Sequence, residues 1–508
     1  MRSRFTLHAS RFTLGDRAFV ALLALLIAVL ALASVSVEIF ALYEDEGIYA
    51  ASSESLLRGH GYRVDSLPGQ PPNAKYPPAY PIFIAGLRAI LPLEPFEQTL
   101  ALKLSGALFL WGLAALFYRD LKKDFGWERG RARIAALFLA TASTCISFST
   151  VVMTEMMFTL VLWMMLRTAW RNHQPSPSSN LAVVAWGVLI YYLRTAGVAF
   201  WAAYLGWRWR LKQRRAVWIA AAAWIAATIP WKAWCAWSLA DFARREPALS
   251  KLLAYYLSYG YHIDAVRSDA SPLTFILKLV LKNAVDSLSS LGDLFVPIGL
   301  IYASNLTEPT GPVKYFPILG GVVVILLAGW GFRRLRHPAK LLIVGALVAH
   351  VGLFLIWPWP FSVRFYVPVF PLLILGAGEA LKAFDGTWER VRNVVVLVVL
   401  GLQWLMTLSL TPGGTMWIHY LKPQGYPFSP AFQAIRDRTT TDDVILTGFS
   451  SQWVSHETGR PSVRLATVLP PRSALQVEYH LRRADDDLVR QYWGGLRQWQ
   501  SARAPRGR

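Results

Sequence analysis

Residues Ala18–Leu42 read AFVALLALLIAVLALASVSVEIFAL and run directly into Tyr43-Glu44-Asp45-Glu46-Gly47-Ile48-Tyr49. The first part is apolar over a length that crosses a bilayer core of about 30 Å. Ala31-Leu32-Ala33 resembles a signal-peptide cleavage site, but the run is too long for a signal core and is expected to be an uncleaved anchor. The second part places three carboxylates where that anchor leaves the membrane.

Similar apolar runs follow near 96–118, 132–149, 151–170, 181–193, 195–207, 216–236, 313–332, 340–357, 365–382 and 393–410. Composition agrees: 54% of the chain is hydrophobic and 16% charged, below the roughly 25% of soluble domains. The net charge of +21 could suggest a nucleic-acid binder, but that needs a soluble basic face, which this chain does not offer. Basic loops facing the cytoplasm explain the charge. They hold Arg2, Arg4, Arg11 and Arg17, then Arg119 to Arg133, Arg208 to Arg215, and Arg333 to Lys340. Two cysteines, Cys145 and Cys235, exclude a disulfide scaffold or a cysteine zinc site.

One turn decides the orientation of the second half. If Leu193-Arg194-Thr195-Ala196-Gly197 separates two short helices, about eleven spans starting inside put every basic cluster in the cytoplasm. A single helix over 181–207 would put the last two clusters outside. The expected architecture is an all-α polytopic membrane protein with about eleven transmembrane helices and a small C-terminal extracytoplasmic α/β domain. Residues 1–410 form the membrane module, with outer loops 43–95 and 237–312, and 411–508 the outer domain. Within 237–312, Leu252–Tyr261 and Phe275–Leu288 read as amphipathic helices on the membrane surface. In the outer domain Val444–Leu446 and Val463–Leu465 read as strands and Ser473–Arg490 as a helix.

The candidate chemistry gathers at the outer interface. A helix is expected from about Glu44 to Arg58-Gly59, with Asp45 and Tyr49 one turn apart on one face. Acids also favour a first helical turn because of its dipole, so the local pattern alone leaves both readings open. Asn73-Ala74-Lys75-Tyr76-Pro77-Pro78-Ala79-Tyr80-Pro81 is extended by its prolines and carries the only lysine of that loop. Lys75 suits either a phosphate or an interfacial anchor. Glu155 begins the fourth span in Thr154-Glu155-Met156, at a depth where an ionisable group is costly and tends to be functional or paired. Arg194 and Arg364 stand at the same level, as phosphate-holding forks or aromatic-flanked anchors. His262 could join a metal site, although a lone surface histidine more often does not. The sequence holds no Walker motif, GxGxxG or HExxH.

Together, Asp45-Glu46-Gly47-Ile48-Tyr49, Lys75-Tyr76-Pro77-Pro78, Thr154-Glu155 and Arg364-Phe365-Tyr366-Val367-Pro368 resemble the integral-membrane glycosyltransferases of GT-C type. The resemblance is to the dolichyl-phosphate-mannose-protein mannosyltransferase and aminoarabinose-transferase-like group, and it covers most of the chain. It implies transfer of a sugar from a polyprenyl phosphate carrier to a lipid, glycan or protein acceptor at the outer face of the membrane. Asp45 would be the general base, supported by Glu46, with Glu155 a second acid. Lys75 would face the carrier phosphate, with Tyr49, Tyr76, Arg194 and Arg364 also binding substrate. The resemblance specifies no cofactor and admits a divalent metal. A bacterial inner membrane is the expected location. A transporter or lipid flippase, or a non-catalytic scaffold, are the competing classes. Acids and cations crowding the outer interface fit neither.

Overall fold

The structure, a computed structural model, describes residues 13–35, 44–91, 93, 95–172, 177–259, 271–297, 315–358, 363–384, 389–409, 429–441, 443–447, 454–455 and 458–464. Helix α1 is Leu14–Ser34, α2 Glu44–Leu57, α3 Ala79–Ile90 and α4 Pro95–Lys123. Helices α5 (Arg129–Thr141) and α6 (Ser143–Ser149) meet at a bend of 52°. Then come α7 (Glu155–Arg171), α8 (Pro177–Leu193), α9 (Gly197–Arg210), α10 (Arg214–Arg245), α11 (Pro247–Leu252) and α12 (Ala254–Leu257). The second half has α13 (Pro272–Phe295), α14 (Phe316–Arg334), α15 (Lys340–Leu355), a 3-10 turn at Val363–Val369, α16 (Phe370–Leu381) and α17 (Glu389–Ser409). Helix α18 (Ser429–Arg438) precedes strands β1 (Ile445–Thr447) and β2 (Ser462–Arg464).

A helix or bent pair occupies each stretch expected to span the membrane. Among the described residues, six helices are long and apolar enough to cross alone, and the α5–α6 pair makes a seventh if it is one span. The others are shorter; α8 and α9 are indeed separate, joined by the turn at Arg194. The anchor sits earlier than expected, at Leu14–Ser34, because Thr13 and Asp16 form a capping box that starts the helix there. Helix α10 runs to Arg245, past the expected end near 236, and carries Pro230 within it.

Helix α13 departs from the surface-helix expectation. It packs closely on α14 and also on α15. Gly292 and Gly321 make this approach: a Cβ on Gly321 would lie 1.8 Å from the Leu288 carbonyl oxygen. Gly331 and Gly376 do the same between α14 and α16. Small residues that let backbones touch are how helices pack where lipid supplies no hydrophobic drive. Leu273, Leu277 and Leu281 nonetheless leave an exposed apolar stripe on α13.

The bend after α5 frees backbone groups that a bilayer cannot satisfy. Gln403 of α17 meets this need. Its Oε1 accepts from Ser143 N at 2.9 Å, and its Nε2 donates to the Leu294 and Phe295 carbonyls at 2.8 and 2.9 Å.

The two strands lie one residue from their expected positions and pair in parallel, Ile445 opposite Ser462. Ser462 N donates to Ser66 O at 3.1 Å, tying this sheet to the first loop. The helix expected at Ser473–Arg490 and the residue His262 lie outside the described residues.

Candidate active site at one end of the helix bundle

Helix α2 begins with Glu44-Asp45-Glu46, acids that suit its dipole. Successive residues on a helix point about 100° apart, so these three carboxylates diverge. Asp45 and Tyr49 face a cavity of about 240 Å³. Glu46 is fully buried away from it, accepting from Val152 N at 3.0 Å, with Lys103 Nζ 3.8 Å off. Glu44 accepts from the Tyr256 hydroxyl at 3.1 Å. Of the two adjacent acids expected in chemistry, the structure brings only Asp45 to the cavity.

The Pro-rich loop is stitched to α2 by Asn73. Its Nδ2 donates to Ser52 Oγ at 2.8 Å, and its Oδ1 accepts from Tyr76 N at 3.2 Å. The Tyr62 hydroxyl donates to Tyr76 O at 2.9 Å. This fixes Tyr76, whose hydroxyl donates to Asp45 Oδ1 at 2.6 Å. Tyr49 packs edge-on against Tyr76 and Tyr80. Lys75 donates to the Tyr255 carbonyl at 2.8 Å, with its Nζ 4.2 Å from the Tyr255 ring centre and 5.4 Å from that of Tyr259. Burial pushes Lys75 down to about 8, although Asp45 and Glu44 pull the other way.

Two guanidinium groups complete the wall. Arg364 Nη2 is 2.8 Å from Asp45 Oδ2. Arg194 Nη1 is 2.6 Å from Glu155 Oε1. Both cations flank the Phe365 ring, at 5.0 Å for Arg364 and 5.7 Å for Arg194. Glu155 is fully buried behind Arg194 and does not line the cavity; its Oε2 has no hydrogen-bond partner among the described residues. Burial acts to raise the Asp45 carboxyl, but Arg364, the Tyr76 hydroxyl, Lys75 and Arg194 outweigh it and hold the group below the ordinary aspartate range.

Several wall residues carry no motif. Tyr255, Tyr259, Phe354 and Trp357 line the cavity. His350 is a second buried support, with its Nε2 2.7 Å from the Phe365 carbonyl. A carbonyl only accepts, so Nε2 carries the proton.

The arrangement sets one hydrogen-bonded carboxylate beside three cations in an aromatic cavity. It can stabilise an anionic leaving group and accept a proton. Among the described residues no three His, Cys, Asp or Glu side chains converge on a metal position. Asp45 and Glu155 each face a guanidinium instead.

No sequence-family model and no curated protein sequence matches the chain. Solved structures do. ArnT from Cupriavidus metallidurans superposes with a TM-score of 0.55 in its apo state, at 14% identity over 89% of this chain and 86% of that one. Bound to undecaprenyl phosphate, ArnT gives 0.57 at 14% identity, over 91% of this chain and 88% of its own. The Archaeoglobus fulgidus oligosaccharyltransferase, solved with Zn and sulfate, gives 0.51 at 14% identity over 87% of this chain and 62% of that one. The chain is therefore a multi-pass membrane protein with the GT-C fold that ArnT and the oligosaccharyltransferase share.

Proposed function

We propose that the chain is a glycosyltransferase that moves a sugar from a polyprenyl phosphate carrier to an acceptor at the outer face of the membrane. The observation that carries this reading is the cavity in which Asp45 shares a wall with Lys75, Arg194 and Arg364. The fold adds support, since ArnT has been solved with undecaprenyl phosphate bound.

The chemistry follows from those groups. The bond from the anomeric carbon to the carrier phosphate oxygen breaks, and its electron pair leaves with the phosphate. Positive charge from Lys75 and the two arginines stabilises that anion. The acceptor oxygen or nitrogen bonds to the anomeric carbon from the opposite face, inverting it. Its proton passes to Asp45 as general base. Glu155 acts through Arg194, which it positions. The proposed frame has about eleven spans with the N-terminus inside, the membrane module over 1–410 and an outer domain over 411–508. The proposed setting is a bacterial inner membrane. Partners are the lipid-linked donor, membrane lipids and a lipid, glycan or protein acceptor. A transporter would place its site near the midplane between broken helices. Here the charged groups come from helix ends and loops at one end of the bundle.

Deleting the gene should make a polyprenyl-phosphate sugar accumulate in lipid extracts read by mass spectrometry. Wild-type protein should restore the pool, and Asp45→Asn should not, because general-base catalysis typically supplies about 10²–10⁴-fold. An unchanged lipid-linked sugar pool in the deletion strain would overturn the transferase reading. Full complementation by Asp45→Asn would remove Asp45 from the chemistry.

A further inference from the structure

Each cation on the cavity wall already has a partner, and a phosphate that grips the same donors competes with it. Lys75 donates to a neutral carbonyl, Tyr255 O. Arg194 holds Glu155, whose carboxylate is 0% exposed and whose second oxygen already has no hydrogen-bond partner among the described residues. Removing Arg194 would strand a bare buried charge, which is costly. Arg364 holds Asp45, a carboxylate that is 16% exposed and lines the cavity. Asp45 would keep the Tyr76 hydroxyl on Oδ1 after the arginine left. A guanidinium fork binds carboxylate and phosphate oxygens by the same planar geometry. Arg364 is thus the arginine whose transfer leaves its former partner solvated and hydrogen-bonded.

We propose that Asp45 holds the phosphate's place on Arg364 until the donor arrives, and that the donor phosphate displaces it. This rests on the transferase reading above. The exchange imposes an order on the reaction. While Arg364 holds it, Asp45 is a poor proton acceptor. Once the phosphate takes the arginine, a negative charge replaces a positive one beside Asp45, and its carboxylate becomes the stronger base. The base is therefore released by the arrival of the group that it must act beside, and the donor binds before the acceptor is deprotonated.

The test is a double-mutant cycle on binding of undecaprenyl phosphate to the full chain in lipid nanodiscs at fixed salt. Wild type, Asp45→Asn, Arg364→Gln and the double variant are compared, each after a thermal unfolding check. Asp45→Asn should tighten binding about tenfold, and in the Arg364→Gln background its effect should shrink to less than about twofold. Equal tightening in both backgrounds would mean through-space repulsion and would overturn the exchange, as would no tightening at all. If Arg364→Gln does not fold, infrared difference spectra replace the cycle. Undecaprenyl phosphate should shift a carboxylate band in wild type that Asp45→Asn lacks, and an unshifted band overturns the exchange. Failure of wild type and Asp45→Asn alike to bind undecaprenyl phosphate counts against the transferase reading itself, and the exchange falls with it. Binding without coupling defeats only the exchange.

Discussion

The helix bundle buries acids at both of its ends, and the two ends treat them differently. At the end formed by the start of α1 and the close of α4 and α7, Asp16, Asp120 and Asp124 are each crowded by donors. Asp120 accepts from Trp163 Nε1 at 3.0 Å, Arg167 Nε at 3.0 Å and Arg171 Nη2 at 2.8 Å. Asp124 takes Trp170 Nε1 and Arg171 Nε. Asp16 takes the Tyr118 hydroxyl and Lys122, with Arg129 Nε 3.4 Å away. At the other end, Asp45 has one guanidinium and one hydroxyl, Glu155 has one guanidinium, and space remains beside Asp45. Buried ion pairs at an end of the bundle are therefore no mark of chemistry by themselves. The mark is a pair that opens onto a cavity with the partner charges on its wall.

The sharpest way to break this comparison is to remove one acid at each end. Asp120→Asn should cost stability on the order of 3–5 kcal/mol, as breaking a buried pair does, with turnover per folded molecule unchanged. Glu155→Gln should instead lower turnover by roughly tenfold or more through a misplaced Arg194, at saturating donor. Thermal unfolding and turnover normalised to folded protein separate the two. A matching loss of turnover in Asp120→Asn would erase the contrast.

A smaller effect sharpens it. Lys75 is held down to about 8 by burial, partly offset by Asp45 and Glu44, and it loses its charge above that pH. Undecaprenyl phosphate affinity should therefore fall about tenfold between about pH 7 and about pH 9, and Lys75→Arg should flatten that slope. A slope that survives in Lys75→Arg would place the titrating group elsewhere. The smallest effect comes from Tyr76→Phe. Losing the hydroxyl removes one of the groups that lower Asp45, so Asp45 should hold its proton to higher pH. The acid limb of the pH–rate profile should then move up by as much as about one unit. An unmoved limb would separate Tyr76 from the titration of the base.

How far this could be read from the chain differs by residue. The helix from Glu44, the Pro-rich loop and the Arg194 turn are local features, set by caps, prolines and apolar period, and they stand where the sequence puts them. Asp45 with Tyr49 is legible because four residues make a helical turn. Glu46 follows from the same geometry: one step round the helix carries it to Val152 and Lys103. The wall made by Tyr255, Tyr259, Phe354 and Trp357 is not local. It needs α12 and the end of α15 to meet over Lys75, and no spacing encodes that. The α13 packing was hidden for a related reason. Its lysines and apolar stripe read as a surface helix, while Gly292 decides its contact with α14.

The bend between α5 and α6 has a consequence for the order in which the protein can be made. Its freed backbone N–H is answered by Gln403, which lies in the last of the described apolar helices. Leu294 and Phe295, where α13 ends, depend on the same side chain. A nascent chain emerging N-terminus first would hold this seam open across most of its own synthesis. Closure of the helix bundle thus waits on a late latch, and a chain stalled before residue 403 should remain protease-sensitive at the seam even with every earlier helix inserted.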